Sequence, residues 1–120
     1  MTNQVVVDSR FENEPAKIVL KYKMELSPDP QVVAIPIGAH LLRAEFIASA
    51  YLLRGHWLLW YEVPLVTRDH DVVLQSIGTG VPFPKCAKYV ATGFRFGSGS
   101  LPQEVWHLYE YPSGAKVVDA

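Results

Sequence analysis

The sequence predicts an all-β fold, a single-domain antiparallel β-sandwich or partly closed barrel of six to seven strands. Three observations carry this. Short runs alternate apolar and polar side chains with the period of two that a strand imposes, most clearly over Lys17–Leu26. Nine prolines and eight glycines punctuate the chain, much of it between those runs, as short turns require. Val105–Tyr111 is a strand-like run with no plainly polar face: Val105, His107, Tyr109 and Tyr111 fall on one side, Trp106 and Leu108 on the other. Such a strand is covered on both faces and belongs at the centre of a sheet.

Residues 1–16 read as an N-terminal arm, 17–111 as the β domain and 112–120 as a C-terminal tail that frays. In the arm, Val5-Val6-Val7 precedes a polar segment, so the arm is loosely ordered or forms an edge strand donated to a neighbouring subunit. Lys17–Leu26 buries one face, and Ser27-Pro28-Asp29-Pro30 ends it. Gln31–Ile35 is a β-branched-rich strand stopped by Pro36 and turned at Gly38. Over Ala39–Ile47, His40, Leu42, Ala44 and Phe46 share one face, and Leu41, Arg43, Glu45 and Ile47 the other. A helix competes there, since Ala, Leu, Arg and Glu are good helix formers. Trp57–Val63 is strand-like and closes a hairpin with it around Ser49–Gly55.

Leu65–Asp71 reads as a polar connection and Val72–Ile77 as a strand ended by Gly78-Thr79-Gly80. The two prolines of Val81–Cys86 would break a hydrogen-bond ladder, which keeps that stretch outside any sheet. In the strand Tyr89–Phe96, Gly93 marks a bulge or a close backbone approach. Gly97–Pro102 is a flexible turn into Val105–Tyr111.

Composition bounds the function. At 120 residues one core suffices. Apolar residues make up 49% and charged residues 19%, so either both sides of a sheet are covered or apolar surface is left for a partner. A net charge of −1 gives no field to draw in a phosphate backbone, and nucleic-acid binding is not expected. The single cysteine, Cys86, excludes an intrachain disulfide and fits a cytoplasmic setting. No basic region leads into a long apolar segment at the start, and the nearly apolar run Trp57–Val66 is too short to cross a bilayer as a helix, so a soluble protein is expected.

No catalytic residues, cofactor or metal are expected. His40, His56, His70 and His107 lack the close spacing of a metal site, and Asp69-His70-Asp71 would chelate only from a loop, because adjacent strand residues face opposite sides. A metal hydrolase using His40, His70 or His107 is accordingly the weakest reading. For His40 and His107 a hydrogen-bonded imidazole in or beside the core is the plain alternative. Cys86, between Lys85 and Ala87, reads as an inert thiol in or near the core. Gly78-Thr79-Gly80 lacks the ending of a phosphate loop, though its amides, one of the lysines (Lys17, Lys21 and Lys23 form a ladder) and a stacking aromatic ring would suit a nucleotide. The aromatic residues are the stronger signal for an interface. The candidate partner- or ligand-binding residues are Trp57, Trp60, Gly78, Thr79, Gly80, His107 and Tyr109.

The order Pro36-x-Gly38-Ala39, Trp60, Gly78-Thr79-Gly80, Ala91-Thr92-Gly93 and Val105-Trp106-His107-Leu108-Tyr109-Glu110 resembles a family of small β proteins of unknown function encoded by phages and prophages. The resemblance covers roughly residues 17–110, and the chain departs from it in its longer arm and its Ile47–Gly55 region. It brings no activity. What it implies is a phage protein in the host cytoplasm that works by binding: inhibiting a host or anti-phage defence protein, sequestering a signalling nucleotide, or joining the virion. The function expected is a non-enzymatic accessory protein acting by protein–protein contact, as a homo-oligomer, with nucleotide binding as the alternative.

Overall fold

Seven antiparallel strands in two sheets make up the computed structural model, which describes residues 4–11, 13–48, 55–95, 97 and 103–118. They are β1 (Lys17–Glu25), β2 (Gln31–Pro36), β3 (His40–Ala48), β4 (Gly55–Pro64), β5 (Asp69–Gly78), β6 (Lys88–Arg95) and β7 (Glu104–Glu110). One sheet has the order β1-β4-β3, the other β2-β5-β7-β6. The two face each other as a sandwich, and among the described residues no strand closes it into a barrel. The order confirms β7 as an inner strand, and Ala39–Ile47 forms strand rather than helix.

The core follows from alternation. On β4, Trp57, Leu59, Tyr61 and Val63 are buried, and their partners on β1 are Met24, Tyr22, Leu20 and Ile18. From the opposite sheet Ile35, Leu74 and Leu108 meet them, and Trp57 Nε1 donates to Ser76 Oγ at 3.0 Å across the gap. Both groups are buried, so this bond satisfies two polar atoms that water cannot reach. β3 and β6, one from each sheet, lie against each other. There Phe46 fills the space that Gly55 and Gly93 leave open.

Several expectations need correction. β3 carries a bulge between Leu41 and Arg43, so Leu41 joins Ala44 and Phe46 against the core while Leu42 is exposed; a strict period of two grouped Leu42, not Leu41, with Ala44 and Phe46. β5 begins at Asp69, where a polar connection was expected. Asp69, His70 and Asp71 pair with Pro36, Ile35 and Ala34 of β2, and all three are exposed, which explains their polarity. On a strand this triplet cannot chelate, and no group of three or more His, Cys, Asp or Glu among the described residues is placed to hold a metal. The bulge in β6 falls between Tyr89 and Ala91, and Gly93 marks the close approach instead. Cys86 is exposed, because its proline-flanked segment runs outside the sheet. Pro36 ends β2, an edge strand where its missing N–H costs no ladder bond.

Gly38, Gly80 and Gly114 have φ of 85°, 86° and 89°. Each closes a turn in which the next residue's N–H returns to the carbonyl three back: Ala39 to Pro36, Val81 to Gly78, Ala115 to Pro112. With the preceding residue at negative φ, this is the type II turn. The last of these turns folds Pro112–Ala115 back beside Val73, so the described part of the tail is held where fraying was expected. The described arm contains a single 3-10 turn, Ser9–Phe11, and no strand; Val5 and Val6 are almost fully exposed. The expected hairpin loop at 49–54 and most of the 97–102 turn lie outside the described residues, although Ala48 pairs with Gly55 and Arg95 with Glu104 on either side.

Burial, with the Glu110 carboxylate and Tyr22 adding to it, pushes the Tyr61 phenol up to about 12. A raised folded pKa contributes stability that is present below the unfolded value and lost as pH rises through the folded one. Stability is therefore expected to fall between about pH 10 and 12, by roughly 2–3 kcal/mol from this group. Tyr61→Phe should flatten that part of a denaturant-midpoint curve while leaving it little changed at neutral pH. A slope equal to that of the unsubstituted protein counts against the assignment.

Candidate functional site

β7 organises the site. Its inner side chains, Trp106 and Leu108, pack into the core; its outer ones, His107 and Tyr109, face the opposite way. From the end of β5 the chain must pass β7 to reach β6, because both pair with β7. The Val81–Ala87 crossover does so over the outer face, where Phe83 lies on the Tyr109 ring with centroids 4.2 Å apart. Tyr89 meets Tyr109 edge-on from the other side at 5.8 Å. This crossover explains why the β7 run has no polar face: one side meets the core, the other meets the crossover.

His107 sits between two hydroxyls. The turn at Gly80 presents Thr79, whose Oγ1 is 3.1 Å from His107 Nε2. Register places Thr92 of β6 opposite His107, with Oγ1 3.0 Å from Nδ1, and Tyr89 OH is 2.7 Å from that same Oγ1. A neutral imidazole donates at one nitrogen and accepts at the other, and a hydroxyl does either, so the row Tyr89–Thr92–His107–Thr79 is fully paired whichever way it is polarised. It holds four amphipathic side chains in fixed orientations on a surface where Tyr89 and Phe83 are 54% and 41% exposed. Gln75 at the same face accepts from Tyr111 OH and donates through Nε2 to the Pro28 carbonyl at 2.9 Å, so the neighbouring surface is pinned as well.

Of the candidate residues, Gly78, Thr79, Gly80, His107 and Tyr109 come together here. Trp57 does not: it is fully buried in the core, so its role is packing and no partner reaches it. Trp60 lies on the outer face of the other sheet, paired with Lys21 and Arg43, the Arg43 guanidinium 6.0 Å above its ring. The lysine ladder is on β1, in that same sheet, away from Gly78–Gly80. Reading the sequence missed Phe83, Tyr89 and Thr92. The sequence signal for Phe83 was its place in a proline-bracketed stretch that had to cross something. Thr92 and Tyr89 needed the register of β6 on β7, which alternation within one strand does not supply.

A family model described as a domain of unknown function (DUF7352) matches residues 15–117, and the chain belongs to that family. No curated protein and no solved structure matches it.

Proposed function

We propose that this DUF7352 protein is a non-enzymatic binding protein whose contact surface is the outer face of β6 and β7. The observation that carries the reading is the aromatic and hydroxyl cluster of exposed Phe83, Tyr89 and Thr92 with half-buried His107 and Tyr109, held rigid by stacking and by the paired imidazole. Tyrosine-rich, preorganised surfaces lose little entropy on binding and supply apolar area with polar tips. The occupant is a folded protein of the host, met in the cytoplasm, as the resemblance to phage-encoded proteins suggests; inhibition of a defence protein is the use that fits. The exposed Val5–Val7 arm supports self-association in addition.

Tyr89→Ala with Phe83→Ser is expected to abolish capture of a specific partner from host lysate, with Trp60→Ala, on the opposite face, as the control that retains it. Equal capture by all three proteins, or none by the unsubstituted one, ends this reading. Light scattering tests the oligomer separately: deletion of residues 1–14 should shift the mass toward monomer. A second reading, a nucleotide at Gly78–Gly80, draws support from Thr79 and the rings sharing one face. Thermal stabilisation by cyclic or linear nucleotides would favour it.

A further inference from the structure

We propose that the cavity between the two sheets at the Glu110 end of the sandwich binds a small zwitterion, its ammonium group innermost and its carboxylate at the mouth. The cavity is about 320 Å³ and is lined by His40, Leu41, Tyr61, Lys88, Tyr89 and Glu110, among others. That volume lies at the lower end of small-molecule sites, which run from about 300 to 1,000 Å³.

Its charges are ordered by depth. Glu110 follows Leu108 by two residues on β7, so its side chain turns inward, and it is half-buried. Among the described residues its carboxylate makes no hydrogen bond or ion pair; the ion pairs present all lie elsewhere. A cation that enters finds there a carboxylate that no described residue bonds, and can make a charge-assisted hydrogen bond with it. Tyr61, buried beside it, stays a neutral phenol at physiological pH, so no second anion competes and its ring is available to a cation. At the mouth the charge reverses: Lys88, opposite Glu110 in the β6–β7 register, and His40 are exposed. A bare amine would meet Lys88 on the way in, whereas a molecule carrying both charges satisfies each end. Tyr89 both lines this cavity and bonds Thr92, so the site adjoins the outer-face cluster without depending on its role.

Calorimetric titration of the full chain with L-leucine, glycine and β-alanine, and with n-butylamine and butyrate as the separated halves, tests this. At least one zwitterion should bind, about tenfold or more tighter than either half. Glu110→Gln should weaken that binding by about tenfold to a hundredfold. Lys88→Gln, an exposed change that leaves the fold intact, should weaken it less, and Trp60→Ala not at all. The proposal is overturned if no zwitterion binds at millimolar concentration, if Glu110→Gln binds as well as the unsubstituted protein, or if n-butylamine binds as tightly as the zwitterions. None of these readouts involves a protein partner, so the outcome is separate from that of the outer-face reading.

Discussion

Trp57→Ala is expected to leave most of the protein unfolded at physiological temperature. Trp57 is 0% exposed, faces Met24 on β1 and Phe46 on β3, and meets the Phe46 ring edge-on at 5.2 Å. Truncating a buried Trp to Ala costs about 3–5 kcal/mol through lost transfer energy and the cavity left behind. Here a second cost adds to it. Ser76 Oγ, itself buried, loses the indole N–H it accepts from, and an unpaired buried polar group costs about 1–3 kcal/mol. Together they come to about 4–8 kcal/mol, enough to cancel the stability of a domain in the lower part of the roughly 5–15 kcal/mol range.

The two contributions separate experimentally. Trp57→Phe keeps an aromatic filler and removes the donor, so it should stay folded with a clearly lower urea midpoint. Trp57→Phe with Ser76→Ala removes both polar atoms and should recover part of that loss, since deleting a pair costs less than orphaning one member. A double variant no more stable than Trp57→Phe alone would show that the hydrogen bond contributes little and that indole volume is the whole effect.

The same residues show what could be read from the sequence. Alternation gave Trp57 and Trp60 opposite faces, which is correct, because period two is a property of a single strand. It did not say which face was the core. That depends on the second sheet, and only Leu74, Ser76 and Leu108 arriving from across the gap make the Trp57 side the interior. The covered face of β7 was legible for a similar reason: a run apolar on both sides must meet two layers, even when the outer layer is a crossover loop. Bulges were not legible. Those beside Leu42 and Val90 shift the register by one residue and leave no mark in composition, so Leu42 rather than Leu41 was grouped with Ala44 and Phe46. Nor was the site, since Thr79, Thr92 and His107 are distant in sequence and meet only through the pairing of β5, β7 and β6.

Gly93→Ala is the second substitution expected to have a large effect, and its reason is contact rather than backbone conformation. The φ of Gly93 is not positive, so alanine is tolerated by the local chain. The added Cβ, however, would overlap Phe46 Cβ and lie 2.8 Å from its Cγ. Phe46 has no room to retreat: its ring packs on Trp57, and on the other side it fills the space above Gly55. Overpacking of this kind costs about 1–3 kcal/mol and more where the backbone must move. Here β3 and β6 would have to separate, and they are where the two sheets come together at one side. Gly80→Ala is the counterpart: φ is +86°, but nothing lies within 4 Å of the added Cβ. It should cost only the left-handed conformation, about 1–2 kcal/mol. Denaturant midpoints should therefore place Gly93→Ala below Gly80→Ala, with amide exchange in β3 and β6 accelerated in the former. Because the overlap begins at Cβ, which alanine keeps, Phe46→Ala should fail to rescue Gly93→Ala. A full rescue would show that the ring, and not the approach of the two backbones, sets the spacing of the sheets.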